Sequence, residues 1–246
     1  EKIPHGNVVI AFTPDEEIGA GVDKFDVEGF GAKLAYTVDG GDYNGICYEN
    51  FNAVSAVVEF YGNSIHPGAA KGKLVNSQHL AFEFHSLLPA FEKPEHTTGF
   101  EGFFHLIETK GATEKTTLEY IVRDHDAEKI DEKQEVMKDI AAFINKKYGE
   151  GSCVLNLREQ YRNMKEQILP YFEVVEAAEN AIRAIGANPV SEAARGGTDG
   201  ARLSYMGLPC PNLCTGGENY HGRFEYIPVE DMEKCTEMLV KILTNF

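Results

Sequence analysis

The succession of strand and helix patterns over residues 53–158 most strongly constrains what this chain can fold into. Runs typical of strands and stripes typical of amphipathic helices follow one another in the order βαββαβ, the split βαβ motif of ferredoxin-like domains. Each predicted helix has apolar residues on one side, so it can cover one face of a sheet. The predicted strands are 53–61, 103–109, 116–123 and 152–158, and the predicted helices are 73–91 and 127–148.

Patterns typical of an α/β fold lie on both sides of this module. Residues 8–13 and 34–38 are apolar runs of the kind that is buried on both faces in a parallel sheet. Residues 171–186 and 229–243 have the spacing of amphipathic helices. Because these elements precede and follow the βαββαβ module, we expect the module to interrupt a larger domain.

The sequence therefore predicts two domains. One is an α/β domain with a mixed sheet and helices, formed by residues 1–50 and 160–246, and the other is the ferredoxin-like insertion, residues 51–159. A strand buried on both faces needs a neighbour on each side, yet the run at 8–13 comes almost at the first residue. We therefore expect the chain to begin in the middle of a domain.

Charge and cysteine usage exclude some classes of partner. The 246 residues carry a formal net charge of −16, and a surface of that sign repels the phosphates of nucleic acids. The five cysteines include no Cys-x-x-Cys pair, which favours a reducing compartment over a disulfide framework. No apolar run approaches the roughly 20 residues that cross a membrane. We therefore expect a cytoplasmic protein that binds neither nucleic acid nor membrane.

Three carboxylates lie directly after the first apolar run, in the segment Thr-Pro-Asp-Glu-Glu at residues 13–17. Ligands of α/β sheets bind at the carboxyl ends of strands, so Glu16 and Glu17 are candidates for catalysis or metal binding. A structural role explains the segment equally well. Thr13 and Glu16 have the spacing of a helix capping box, and Pro14 suits the first position of a helix.

Two further residues are candidates for the same site. Asp39 ends the run 34–38 and precedes two glycines, which would let a ligand approach the backbone, although an ordinary turn is the alternative. His221 lies in a polar loop, as a zinc ligand or as a solvated side chain. Carboxylates and imidazole are ligands that zinc accepts, and an adjacent carboxylate can act as a general base. Together, the residues favour a metal-dependent hydrolase.

Five motifs carry a specific resemblance to a known family. They occur in order at residues 12–19 (Phe-Thr-Pro-Asp-Glu-Glu-Ile-Gly), 38–41 (Val-Asp-Gly-Gly), 66–68 (His-Pro-Gly), 194–200 (Ala-Arg-Gly-Gly-Thr-Asp-Gly) and 219–222 (Asn-Tyr-His-Gly). In this order, and over nearly the whole chain, the sequence resembles the peptidase T group of the M20 metallopeptidases. Members of this group are zinc-dependent aminopeptidases that release the N-terminal residue of tripeptides.

The resemblance implies roles for the candidate residues. Glu16 would be the general base, and Glu17 and Asp39 would each bind one of two zinc ions per subunit. His221 would join Glu17 on the second zinc. The α/β domain would be a partial zinc-peptidase catalytic domain, and the insertion would be a lid that forms a homodimer.

The resemblance also implies residues that bind the short peptide substrate. His66 would stabilise the oxyanion, unless its His-Pro-Gly sequence is only a turn. Arg195 would bind the C-terminal carboxylate of the peptide, which a guanidinium fork suits better than an ammonium group. Arg123 is a candidate for the same task, with a cross-strand ion pair as the alternative.

One part of the family pattern is missing from these 246 residues. Family members have a His-x-Asp pair and a bridging aspartate upstream of the Glu-Glu motif, and no His-x-Asp sequence occurs here. We therefore expect a C-terminal fragment that lacks the N-terminal third and is inactive by itself. The alternatives are a related dipeptidase, deacylase or carboxypeptidase of the same group, or a non-catalytic dimerising fragment.

Overall fold

A computed structural model describes residues 3–191 and 193–245 of the chain. The chain divides into two compact units, Glu1–Asn50 with Arg162–Phe246, called here the first unit, and Phe51–Tyr161, called the inserted unit. The strands are β1 (Thr37–Val38), β2 (Gly45–Cys47), β3 (Asn52–Tyr61), β4 (Phe103–Gly111), β5 (Lys115–Asp124), β6 (Cys153–Tyr161), β7 (Val190–Ser191) and β8 (Asn212–Leu213). The helices are α1 (Val27–Phe30), α2 (Ser77–Leu87), α3 (Ala127–Tyr148), α4 (Lys165–Ile168), α5 (Glu173–Ala184), α6 (Asp199–Tyr205) and α7 (Val229–Asn245). Among the helices of these described residues, none is long and apolar enough to cross a lipid bilayer.

The inserted unit is a four-stranded antiparallel sheet with helices α2 and α3 against it. The strand order is β4-β5-β3-β6, and Val58 of β3 lies between Leu118 of β5 and Leu155 of β6. Every second residue of β3 is buried in the core with the apolar stripes of the two helices, as the alternating pattern requires. The predicted order βαββαβ is therefore the observed order, within a mixed α/β fold.

The ends of the two helices follow local signals. Asn76 accepts a hydrogen bond from the amide of Gln78 at 3.0 Å and caps α2, so the helix begins at Ser77, four residues after the predicted start at residue 73. Leu88 precedes a proline and is extended, which ends α2 before the predicted residue 91. Asp126 caps α3 in the same way as Asn76 caps α2, and α3 has its predicted bounds, 127–148.

The first unit has a small mixed sheet with the order β1-β8-β2-β7. β1 is parallel to β8 and β2 is parallel to β7, whereas β2 is antiparallel to β8. Helices α5 and α7 pack on this sheet through a buried core. Its members include Ile46, Val174, Val175, Ala178, Ile182, Leu213, Met238 and Ile242.

The predicted buried strand at residues 8–13 is wrong. This segment forms neither strand nor helix, and its apolar side chains are exposed, with Ile10 75% and Phe12 93% accessible. A strand that is apolar on both faces needs hydrogen-bonding neighbours, and within residues 3–191 and 193–245 no strand pairs with it. Of the predicted strand 34–38, only Thr37 and Val38 have β structure.

Candidate metal and catalytic site

The two adjacent glutamates lie on a short turn of 3₁₀ helix, Glu16–Ile18. The residue before it, Asp15, has the left-handed backbone conformation at φ 62°, and Gly19 ends the turn at φ 71°. The Gly19 amide donates to the Glu16 carbonyl at 2.7 Å, and the Ala20 amide donates to the Asp15 carbonyl at 3.0 Å. The capping-box alternative for Thr13 is wrong, because Asp15 occupies the cap position and makes no side-chain cap bond.

Asp39 follows β1 directly and is held through its backbone. Its amide donates to the carbonyl of Leu213 at 2.9 Å, and its carbonyl accepts from the side-chain amide of Asn212 at 2.5 Å. The next two residues, Gly40 and Gly41, have φ values of 61° and 66°. Only glycine adopts this conformation without strain, so the glycines turn the chain away while the Asp39 side chain stays at the end of the strand.

His221 lies on a loop that closes on itself before α7. Glu218 and Tyr226 exchange backbone hydrogen bonds of 2.8 and 3.2 Å across its base. Asn219 and His221 both have left-handed backbone conformations, at φ 58° and 60°, and the His221 amide donates to the Glu225 carboxylate at 3.0 Å. These contacts fix the backbone of the loop that carries the imidazole.

The fold brings these three segments together. Nε2 of His221 lies 3.5 Å from Oε2 of Glu17, and both side chains are exposed, at 78% and 77%. Burial raises the pKa of Glu16 above its usual range, and the carboxylate of Asp39 raises it further. Burial also raises the pKa of Asp39, and Glu17 is the strongest charged group that adds to this effect. His221 opposes both shifts. The four predicted residues therefore share one electrostatic environment.

The donors present fit part of a zinc site. Glu17 and His221 supply a carboxylate and an imidazole, which are ordinary zinc ligands, and Asp39 is a third donor within electrostatic range. In the part of the chain that the structure describes, however, no three His, Cys, Asp or Glu side chains lie close enough together to hold a metal ion. A catalytic zinc usually has about three protein ligands, so the set as it stands is incomplete.

Asp199 is a member of this site that the sequence analysis missed. It is 5% exposed, it accepts a hydrogen bond from Thr13 Oγ1 at 2.8 Å, and its charge raises the pKa values of Glu16 and Asp39. The available signal was an aspartate in the Gly-rich motif at residues 194–200, which the structure shows to be the first residue of α6. An acid at that position is common in any helix, so the signal did not distinguish a site residue from a structural one.

The predicted substrate-binding residues are divided between the units. Arg195 lies half-buried in the first unit, directly after Ala194, whose amide donates to the Glu49 carbonyl at 3.0 Å. His66 and Arg123 belong to the inserted unit. His66 is exposed, and its Nδ1 accepts from the Gly68 amide at 3.1 Å, so its turn alternative describes its local role. Arg123 lies on β5 with its guanidinium 6.0 Å from the ring centre of Tyr161.

The chain is similar in sequence to known peptidases. Residues 48–152 match the Peptidase dimerisation domain family. Peptidase T of Clostridium perfringens is 54% identical over 242 residues, which are 98% of this chain and 60% of that protein. Peptidase T of Caldanaerobacter subterraneus is 53% identical over 98% of this chain and 59% of that protein. The chain thus spans about three fifths of the length of the curated relatives that it matches.

Solved structures show the same fold. The aminopeptidase PepT of Bacillus cereus has a TM-score of 0.83 and 25% identity, over 98% of this chain and 65% of that one. A tripeptidase of Staphylococcus aureus has a TM-score of 0.87 and 21% identity, over 99% of this chain and 65% of that one. A dinuclear metal-binding peptidase of the M20 family from Bacillus subtilis has a TM-score of 0.65 and 16% identity, over 95% of this chain and 63% of that one. By sequence and by fold, the chain is therefore similar to the Peptidase T proteins, and its residues 48–152 are similar to the Peptidase dimerisation domain.

Proposed function

We propose that this chain carries part of the active site of a zinc-dependent aminopeptidase that releases the N-terminal residue from tripeptides. The observation that carries the proposal is the convergence of Glu17 and His221 at 3.5 Å beside Glu16. The names of the relatives, Peptidase T and tripeptidase, support the reaction and the substrate class.

Glu17, Asp39 and His221 are the residues that would hold zinc, as two ions in each complete subunit. Zinc, when bound, polarises the scissile carbonyl and makes water more acidic. Of the three donors, Glu17 and His221 lie on loops fixed by backbone hydrogen bonds, and Asp39 lies at the end of β1. This placement lets three distant segments contribute to one site.

Glu16 is the proposed general base. Its raised pKa makes the carboxylate a better proton acceptor than an exposed glutamate, which is the tuning that general bases require. Glu16 would accept a proton as water attacks the scissile carbonyl carbon, and it would then donate that proton to the departing amine. The bond from carbon to nitrogen breaks, and the products are a free amino acid and a dipeptide.

The substrate contacts are proposals from the resemblance. Arg195 would bind the C-terminal carboxylate of the peptide through its guanidinium fork. Within the inserted unit, His66 and Arg123 are candidates for contacts with the peptide, His66 with its developing oxyanion and Arg123 with its carboxylate. The cytoplasm is the proposed compartment, because the cysteine pattern favours a reducing environment.

The inserted unit is the proposed dimerisation surface. Its match to the Peptidase dimerisation domain supports this, as do the outer strands β4 and β6, each of which has a partner on one side only in the sheet. We expect a homodimer in light scattering, and a monomer at high protein concentration would contradict the proposal.

The proposed activity is best tested in a hybrid. The segment of Clostridium perfringens Peptidase T that matches this chain is replaced by this chain, and the purified hybrid is assayed with Ala-Ala-Ala. We expect hydrolysis from the N-terminus, and we expect Glu16→Gln to lower kcat by about 10²–10⁴-fold, the typical contribution of a general base. Glu28→Gln, an exposed change in the same unit, is the control and should retain activity.

The substrates that the hybrid cleaves distinguish the proposed reaction from its alternatives. A folded hybrid that cleaves dipeptides or acylated amino acids but not tripeptides would move the proposal to a related M20 reaction. A folded hybrid that binds metal and cleaves none of these would contradict an enzymatic role, and full activity in Glu16→Gln would remove Glu16 from its proposed role.

A further inference from the structure

Helix α6 contacts the loop that carries Glu16 and Glu17 on both sides of the two glutamates. We propose that α6 acts as a clamp that holds this loop in place, with Asp199 and Arg202 as positioning residues. The two side chains come from one face of the same short helix, since they are three residues apart.

Asp199 contacts the loop on both sides of the two glutamates, at Thr13 and at Gly21. Thr13 Oγ1 donates to Asp199 Oδ2 at 2.8 Å, and the carboxylate is almost completely buried. A buried carboxylate needs such partners, because it has lost its hydration. On the far side of the glutamates, a Cβ at Gly21 would overlap Asp199 Oδ2. The carboxylate therefore touches the backbone at Gly21, and only glycine leaves room for it there.

Arg202 binds the loop just after the 3₁₀ turn that carries the two glutamates. Its Nη1 donates to the Gly19 carbonyl at 2.6 Å, and its Nη2 pairs with the carboxylate of Asp23. A guanidinium offers several donors in a rigid plane, so one side chain can hold two acceptors in a fixed relation. Gly19 is the residue at which the turn of Glu16 and Glu17 ends.

The loop depends on contacts with other segments because it has little regular secondary structure of its own. The turn is three residues long, and a single turn of 3₁₀ helix has weak hydrogen-bond geometry. Asp15 is also held in the left-handed conformation, which a non-glycine residue keeps only where surrounding contacts enforce it. The contacts from α6 are the ones that flank this strained segment.

Hydrogen exchange at the Gly19 and Ala20 amides measures the clamp directly. Thr13→Val removes the hydroxyl donor and keeps the side-chain shape, whereas Thr13→Ser keeps the donor. We expect about tenfold faster exchange at these two amides in Thr13→Val, because the buried carboxylate of Asp199 then lacks its hydroxyl donor. Thr13→Ser should exchange as the unsubstituted chain does, and the amides of α5 should be unchanged in both variants.

A second pair of variants tests Arg202 separately. Arg202→Lys keeps the charge but loses the planar fork, and Arg202→Met loses both. We expect faster exchange at Gly19 in both, with the larger change in Arg202→Met.

The inference would be overturned if exchange at Gly19 and Ala20 did not change in Thr13→Val and Arg202→Met. It would also be overturned if exchange rose equally in α5, since the contacts would then stabilise the whole unit rather than position the loop. The inference rests on the proposed function only for the use of the two glutamates. An inactive hybrid with a loosened loop in Thr13→Val would therefore reject the reaction and leave the clamp in place.

Discussion

Nε2 of His221 lies 3.5 Å from Oε2 of Glu17, although the two residues are near opposite ends of the chain. Both side chains are mostly exposed, and an exposed ion pair stabilises a protein by only about 0–1 kcal/mol. The attraction between the two side chains therefore does not hold their loops together. The loops are held by their backbone contacts, and the two side chains remain accessible to a ligand.

Zinc titration of the chain tests whether Glu17 and His221 are accessible to a metal ion. We expect one weak site, because Glu17 and His221 are two ligands where a catalytic zinc usually has about three. His221→Ala should abolish the binding and leave the melting temperature nearly unchanged, since the pair contributes little to stability. His79→Ala, an exposed histidine of α2, is the control for nonspecific binding. Calorimetry that found two tightly bound zinc ions per chain would show that other residues complete the site.

Gly41 should be less tolerant of substitution than Gly40. Both have positive φ, so alanine at either position should lower the free energy of unfolding by about 1–2 kcal/mol. A Cβ at Gly41 would also lie 2.6 Å from Sγ of Cys214, whereas the space at Gly40 is open. We expect Gly41→Ala to cost about 1–3 kcal/mol more than Gly40→Ala, as overpacking does. Equal urea midpoints for the two variants would contradict the packing of Cys214 against this turn.

His85 should make the inserted unit sensitive to mild acid. Burial, with a smaller effect of Lys93, lowers the pKa of His85, whose Nδ1 lies 3.0 Å from the hydroxyl of Tyr120. The unfolded chain therefore binds a proton more readily than the folded one, and stability is lost as the pH falls below about 6.5. We expect His85→Gln to lose less stability between pH 7.5 and 5.5 than the unsubstituted chain, measured by urea unfolding. Ser86→Ala, at an exposed position of the same helix, should behave like the unsubstituted chain.

The buried ion pair of Lys133 with Asp124 should be important for the stability of the inserted unit. Nζ of Lys133 lies 3.3 Å from Oδ2 of Asp124, and the Asp124 side chain is 2% exposed. Lys133→Met leaves a buried carboxylate without its cation, which should cost about 3–5 kcal/mol. Lys138→Met removes an exposed pair with Glu135 on the same helix and should cost less than about 1 kcal/mol. Similar unfolding curves for the two variants would show that Lys133 is better solvated than its burial indicates.

The inserted unit could be predicted from the sequence because its signals are local. The alternation along β3 and the apolar stripe of α3 are visible within about ten to twenty residues of chain. The early end of α2 was also marked, by the proline after Leu88. The run at residues 8–13 misled because its composition describes a strand, while strand formation depends on a partner elsewhere.

The candidate site could be predicted only in part for the same reason. The Glu-Glu motif, Asp39 and His221 were found because short motifs of polar residues stood at the ends of predicted elements. Asp199 was not found, because the evidence that it belongs to the site is its hydrogen bond to Thr13, which is 186 residues away in sequence. A contact between residues so far apart in the chain is visible only in the folded structure.

The left-handed residues around the site have a consequence for ligand affinity. Asp15, Asn219 and His221 are the non-glycine residues with positive φ in the described part of the chain, and they flank or include proposed ligands and the proposed base. Each residue is held in a conformation that a free peptide rarely visits. The backbones of these loops therefore have their final conformation before a cation binds. Little of the binding free energy of the cation would be lost in ordering the loops. Affinity should then depend mainly on the number of donors, and a further carboxylate supplied to this surface should raise it steeply.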